Sequence, residues 1–193
     1  MQDNEFVRIG TRLRNEGLLV ANFGNMSTRT EDGFLITSTG SYLDNPGRAV
    51  LVPFDGPVPA NASSEYRAHR EVYRATRHSA LVHAHPPHTV AASLVMNEII
   101  PLDREGVMFC PVISVVEGKP GSDEIGRNVA EALRLANVVV VKGHGTFAAG
   151  RGLDEAYILT SLVEYSCRIL WLLGAVHQHQ NPADAPSPGS LIS

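Results

Sequence analysis

The chain has 193 residues, 44% of them hydrophobic, and a formal net charge of −4 at pH 7, enough apolar content for one sizeable core in a single domain. Its arginines are scattered without a basic cluster, which argues against a nucleic-acid partner, and no run is expected to reach the length of a membrane-spanning helix. The charged, amphipathic start "MQDNEFVRIGTRLRNEG" is unlike a secretory leader, so the cytoplasm is the expected location, and the isolated Cys110 and Cys167 read as core residues rather than a disulfide framework.

Residues 4–17 place Phe6, Ile9 and Leu13 at helical spacing and stop at Gly17, predicting a first helix. "MSTRT" and "GFLITS", joined around Glu31, Asp32 and Gly33, read as a hairpin, and "AVLVPF" is a further strand ended by Pro53 and "DGPVP". "SSEYRAHREVYRATR" is a helix with serine caps and an acidic side chain in its first turn. "ALVHAH" is a buried type of strand, and Pro86 and Pro87 open the helix "PPHTVAASLVM" at once. "IPLDREGVMF" reads as a loop and "PVISVV" as a strand, followed by a helix capped by Ser122. "NVVVVKGHGTFAAG" is a strand, a Gly-rich turn and a second strand, and residues 153–176 form a long closing helix. Hairpin pairs mixed with helices predict an α/β domain whose mostly antiparallel sheet is covered by helices. No Gly-rich phosphate loop follows an early strand, which disfavours a doubly wound nucleotide fold. From residue 178 the chain turns polar and Pro-rich, as expected of a mobile tail.

Residues two apart in a strand share a face, so His83 and His85 project together. His144 offers a third imidazole between Gly143 and Gly145, which permit a tight turn and close backbone approach. Three neutral imidazoles suit a catalytic zinc or a similar ion, with satisfied structural histidines as the alternative. The same His-x-His spacing at His177 and His179 belongs to the polar end and reads as solvated, while His69 and His88 read as surface or supporting residues and His78 as a loop residue. Glu65 is a candidate general acid/base, or simply a helix-capping acid. Ser63 and Ser64 at a helix N-terminus, Gly24-Asn25 and Thr39-Gly40 form small polar turns that together can cradle a phosphate.

In their order and spacing, "ANFGNMSTR", "ITSTG", "SSEYRAH", "VHAHPPHTVA" and "KGHGTFAAG" resemble the class II aldolase/adducin family, especially its small L-fuculose-1-phosphate aldolases, over about residues 5 to 175. The resemblance implies a three-layer α/β/α domain, taken as residues 1–177 ahead of the tail at 178–193, assembled as a homotetramer with active sites at subunit interfaces. It implies one Zn2+ per subunit, or another divalent ion such as cobalt or manganese, on His83, His85 and His144. Glu65 would be a ligand in the empty enzyme and the proton carrier once substrate displaces it. Gly24, Asn25, Thr39, Gly40, Ser63 and Ser64 would hold the phosphate. The implied reaction is reversible cleavage of a ketose 1-phosphate to dihydroxyacetone phosphate and an aldehyde.

Members of that group place tyrosines near the aldehyde, one on the loop after the His-x-His helix and one in the C-terminal tail. Here "IPLDREGVMF" has none, nor does the segment after Trp171, so Asp103, Arg104 and Glu105 become candidates for that end. Within the family, a ribulose-5-phosphate 4-epimerase, a methylthioribulose-1-phosphate dehydratase and a sugar-acid phosphate decarboxylase share the chemistry; glutamate at position 65 favours the aldolase. Schiff-base cleavage by Lys142 is a different mechanism. A non-catalytic adducin-like interaction module is disfavoured because all three histidines and Glu65 are present.

Overall fold

The computed structural model describes residues 2–180, with side chains from residue 4 to residue 174. In chain order the elements are α1 (Gln2–Asn15), β1 (Asn25–Arg29), β2 (Gly33–Ile36), β3 (Val50–Pro53), α2 (Tyr66–Ala75), β4 (Ala80–Ala84) and α3 (Pro87–Val95). There follow β5 (Glu98–Ile99), α4 (Arg104–Phe109), β6 (Ile113–Val116), α5 (Asp123–Ala132), β7 (Val138–Val141), β8 (Gly145–Gly150) and α6 (Leu153–Gln180). The strands form one sheet in the order β3-β2-β1-β4-β8-β7-β6-β5. Only β6 and β7 run parallel among these neighbours, as the hairpin-rich sequence leads one to expect.

Two-residue periodicity sorts the strands between two faces. Phe34, Leu81, Val139 and Phe147 pack on one face against Val72 and Tyr73 of α2 and Ile125 and Val129 of α5. Met26, Val82 and Ala84 pack on the other against Phe6, Ile9 and Leu13 of α1 and Leu153 and Ala156 of α6. Nearer β5 that second face continues through Val138, Val140 and Ala148 under Leu159, Val163 and Cys167. Both cysteines are buried and free, as expected of core residues.

Three local expectations change. "IPLDREGVMF" is not a bare loop: Asp103 accepts from the Gly106 amide at 2.8 Å and caps the short α4. Helix α2 begins at Tyr66, so Glu65 sits at the N-cap instead of within the first turn, and its side chain caps nothing. Within Leu153–Gly174 an 18-residue window reaches a mean hydropathy of 1.3, so by length and composition α6 can cross a membrane, contrary to the expectation for this sequence. A third of that window, 33%, is buried, where the helix packs across β4 and β8. Helix α6 continues to Gln180, and residues 181–193 of the expected tail lie outside the described residues.

Pro87 occupies the first turn of α3, where a missing N–H costs nothing, but the N-cap residue Pro86 has no side-chain acceptor to offer. Glu164 of α6 supplies it from outside. Its carboxylate accepts from the His88 amide at 3.1 Å, the Thr89 amide at 2.9 Å, the Thr89 hydroxyl at 2.9 Å and His88 Nδ1 at 2.7 Å. This buried acid locks the helix that starts directly behind His85. Glu164→Ala leaves several of these donors without a partner and is expected to lower stability by about 1.5–3 kcal/mol, read as a shift in urea midpoint at constant slope.

Candidate active site

The register of the central strands fixes the first ligand candidate. His83 on β4 lies opposite Asn25 of β1 on one side and Phe147 of β8 on the other. Its ring is fully buried and stacks on Phe147 at 4.2 Å between centroids. His83 Nδ1 lies 2.8 Å from the Thr146 carbonyl, which can only accept, so Nδ1 carries the proton and the Nε2 lone pair faces the cleft. His85 follows the strand end on the same face, and its Nε2 lies 2.9 Å from His83 Nε2. His144 stands in the turn between β7 and β8. Gly143 adopts a left-handed φ of 66° there, and a Cβ on Gly145 would collide with the Ala84 carbonyl oxygen. The glycines therefore do what their spacing suggests, one turning the chain and the other letting it press against β4.

The candidate ligand atoms of the three imidazoles lie within 4.8 Å of one another. Glu65 projects into the same space, with Oε2 2.8 Å from His83 Nε2 and Oε1 3.1 Å from His144 Nε2. Burial by itself would raise the Glu65 pKa, but the close approach of the His83 and His144 rings outweighs it and holds the carboxyl well below the usual carboxylate range. For His85, burial, reinforced by His83 and His144, pushes the pKa down to about 3, leaving a neutral ring with a lone pair to give. Neutral imidazoles and an ionised carboxylate converging on one point are the donor set of a divalent transition-metal site. The residues present fit such an ion.

A cleft of about 670 Å³ opens beside this group. All six residues expected to form a phosphate cradle line it: Gly24, Asn25, Thr39, Gly40, Ser63 and Ser64. Asn22 donates to the Gly40 carbonyl at 3.2 Å, and the Thr39 amide donates to Asn61 at 2.9 Å, which ties the three turns into one wall. A Cβ on Gly24, whose φ is 100°, would come within 2.8 Å of the His83 carbonyl oxygen, so this turn too is pressed onto β4.

Other candidates fall elsewhere. Asp103, Arg104 and Glu105 do not line the cleft. Lys142 is exposed and paired with Glu117 at 3.2 Å, away from any pocket that would desolvate its amine. His88 is held by Glu164, and His78 lies 3.1 Å from the Leu133 carbonyl. His69, by contrast, is fully buried behind the site with Nε2 2.5 Å from Asn25 Oδ1, the supporting rather than the surface alternative.

Sequence reading overlooked Arg67, the only lysine or arginine among the cleft-lining residues. Its Nε lies 3.1 Å from Asp123 and its guanidinium 4.7 Å from the centre of the Tyr66 ring. The available signal was its place two residues after Glu65, in the first turn of a helix already suspected of anion binding.

The family model described as Class II Aldolase and Adducin N-terminal domain matches residues 4–171. An L-fuculose phosphate aldolase of Methanocaldococcus jannaschii is 28% identical over 177 residues, covering 89% of this chain and 97% of its own. A 3-oxo-tetronate 4-phosphate decarboxylase of Escherichia coli is 28% identical over 186 residues, covering 88% and 86%. The crystal structure of L-fuculose-1-phosphate aldolase from Thermus thermophilus superimposes with a TM-score of 0.87 at 38% identity, over 96% of this chain and 97% of that one.

Close packing at Gly145 makes the histidine group testable without removing a ligand. In Gly145→Ala the new methyl meets the Ala84 backbone and His85 Cδ2, so the turn bearing His144 must move. Competition with a chromophoric chelator is expected to show Zn2+ affinity reduced about 10–100-fold. Gly152→Ala, where nothing lies within 4 Å of the added atom, is expected to bind as the parent does.

Proposed function

The chain belongs to the class II aldolase and adducin N-terminal domain family, and we propose that it is a metal-dependent aldolase. The proposed reaction is reversible cleavage of a small ketose 1-phosphate, similar to L-fuculose 1-phosphate, into dihydroxyacetone phosphate and an aldehyde. The observation carrying this reading is the meeting of Glu65 with His83, His85 and His144 at the foot of a cleft walled by polar, Gly-containing turns. Similarity to the two L-fuculose phosphate aldolases supports it.

In this reading the three imidazoles hold one divalent ion, Zn2+ before cobalt or manganese, with Glu65 as the fourth ligand in the absence of substrate. When bound, that ion supplies Lewis-acid stabilisation of negative charge on the substrate oxygens beside the bond that breaks. Glu65 carries the proton, giving it to the carbon of the dihydroxyacetone phosphate fragment in cleavage and removing it in synthesis. Gly24, Asn25, Thr39, Gly40, Ser63 and Ser64 grip the phosphate with amides, hydroxyls and the positive end of α2. Arg67 adds a guanidinium to that end. Binding at the phosphate, remote from the carbon–carbon bond, fixes the reacting atoms against Glu65.

The protein is proposed to work in the cytoplasm as a homotetramer whose active sites lie at subunit interfaces. The segment from the end of α3 through α4 supports association: Val95, Leu102, Val107, Met108 and Phe109 are all exposed, Val95 at 81% and Met108 at 75%. Sedimentation of the purified chain tests the tetramer.

A second reading has one specific observation behind it, the similarity to the 3-oxo-tetronate 4-phosphate decarboxylase. Loss of carbon dioxide from a 3-oxo acid leaves negative charge at the same kind of carbon as retro-aldol cleavage, so the same side chains serve either reaction.

Purified protein is expected to contain stoichiometric divalent metal and to release dihydroxyacetone phosphate from one of L-fuculose 1-phosphate, D-ribulose 1-phosphate or 5-deoxyribulose 1-phosphate, with activity lost to chelator. Carbon dioxide from 3-oxo-tetronate 4-phosphate, with none of these aldol cleavages, would replace the first reading by the second. Glu65→Gln is expected to lose proton exchange on dihydroxyacetone phosphate while retaining most phosphate affinity. In Arg67→Met, KM for the phosphorylated substrate is expected to rise about tenfold with kcat little changed, the loss of one partly exposed charge-assisted contact.

A further inference from the structure

A buried line of hydrogen bonds runs from the interior of α2 to the carboxylate of Glu65. Tyr73 OH lies 2.7 Å from Ser27 Oγ, Ser27 Oγ lies 2.6 Å from His69 Nδ1, and His69 Nε2 lies 2.5 Å from Asn25 Oδ1. Asn25 Nδ2 then donates to Glu65 Oε2 at 3.1 Å. Ser27 and His69 are fully buried and Tyr73 nearly so.

The chemistry of the groups gives this line one direction. Asn25 turns its amide nitrogen toward Glu65 Oε2 and its oxygen toward His69 Nε2, the orientation that presents a donor to a carboxylate. That oxygen also only accepts, so His69 must carry a proton on Nε2. Burial pushes the His69 pKa down to about 3, so the ring is neutral and has a single proton. Nδ1 is therefore a lone pair, which requires the Ser27 hydroxyl to donate to it, and Ser27 in turn accepts from Tyr73. Every donor in the series points toward Glu65.

We propose that His69 is a positioning residue for the acid–base step, holding the Asn25 amide in the one orientation that presents a donor to Glu65. Reversing that amide would set its oxygen against the carboxylate, two acceptors facing each other. Asn25 also lines the cleft beside Gly24. His69 thereby ties the phosphate side of the cleft to the proton carrier without touching substrate.

This inference rests on Glu65 as the proton carrier, so Glu65→Gln is measured alongside. The readout is deuterium exchange into dihydroxyacetone phosphate by zinc-loaded, full-length protein in D2O. His69→Asn keeps a polar atom near the Nδ1 position but loses the donor to Asn25, whereas His69→Gln returns an amide N–H near the Nε2 position. Exchange is expected to fall about 10–100-fold in His69→Asn and to recover most of that loss in His69→Gln, at similar melting temperatures. In the wild-type imidazole 15N spectrum His69 is expected to be protonated at Nε2 and not at Nδ1. A proton on Nδ1, or wild-type exchange in His69→Asn with Glu65→Gln inactive, overturns the positioning role and leaves Glu65 in place. Undiminished exchange in Glu65→Gln overturns the reading on which the inference stands. Should His69→Asn not fold, Ser27→Ala removes only the hydroxyl that selects the tautomer: slower exchange supports the inference, and an unchanged rate overturns it.

Discussion

Strand β4 is held between β1 and β8, and the candidate site follows from that pairing. Because side chains alternate across a sheet, a shift of β4 by one residue would turn His83 and His85 to the opposite face, toward α1 and α6, and bring Val82 and Ala84 to the cleft. The apolar pattern resists such a slip: Leu81 belongs to the core under α2 and α5, while Val82 and Ala84 belong to the one under α1 and α6. The same register sets Asn25 opposite His83 and places Thr146, paired with Ala84, where its carbonyl can orient the His83 ring. Hydrophobic sorting on the two faces therefore selects which polar groups meet at the end of the sheet.

That meeting is costly by itself. An ionised carboxylate with 7% of its residue surface exposed loses most of its hydration, and the cost is offset only where donors or cations surround it. Asn25 donates to Glu65, and Nε2 of His83 and of His144 stand 2.8 Å and 3.1 Å from its oxygens, where a cation shared with these rings would offset the cost. The backbone position of Glu65 matters as much. As the N-cap residue of α2 it stands where the chain enters a helix, so its side chain is free to reach sideways to the histidines while Ser63 and Ser64 face the cleft.

Much of this was legible in the sequence, because the parts that carry it obey short-range rules. Alternation exposed β4, Gly143 and Gly145 announced a tight turn around His144, and two prolines after His85 marked the opening of α3. What stayed hidden depends on distance along the chain. Glu164 caps α3 from a helix 75 residues away, and nothing near "PPHT" indicates that its amides need an outside acceptor. The sequence leaves His69 open as a surface or supporting residue, and only the packing of α2 on β1, which brings it to Ser27 and Asn25, decides between them. The closing helix α6 was legible, but not that it is long and apolar enough to cross a membrane, since a helix lying across a sheet and a helix crossing a membrane satisfy similar counts. Helix α4 was missed because six residues are too few to show a period, although Asp103 and Gly106 carried its cap.

The division of labour in the cleft bears on which reaction the chain performs. In the proposed reaction, Glu65 and the histidines serve the carbon that gains or loses a proton and the polar turns serve the phosphate, while Asp103, Arg104 and Glu105, the candidates for the departing fragment, do not line the cleft. An aldehyde leaves as a neutral molecule and needs a proton managed at its oxygen, whereas a carboxylate leaves as neutral carbon dioxide after giving up its charge and is helped by apolar surroundings. Phe23, half exposed beside His85 at 6.0 Å between ring centroids, is the one apolar aromatic side chain lining the cleft. It offers no acceptor for the proton that a departing hydroxyl gives up as it becomes an aldehyde. For the proposed aldol cleavage, the acceptor of that hydroxyl proton is expected from outside the cleft wall described for this chain, so subunit association bears directly on which of the two proposed reactions it performs.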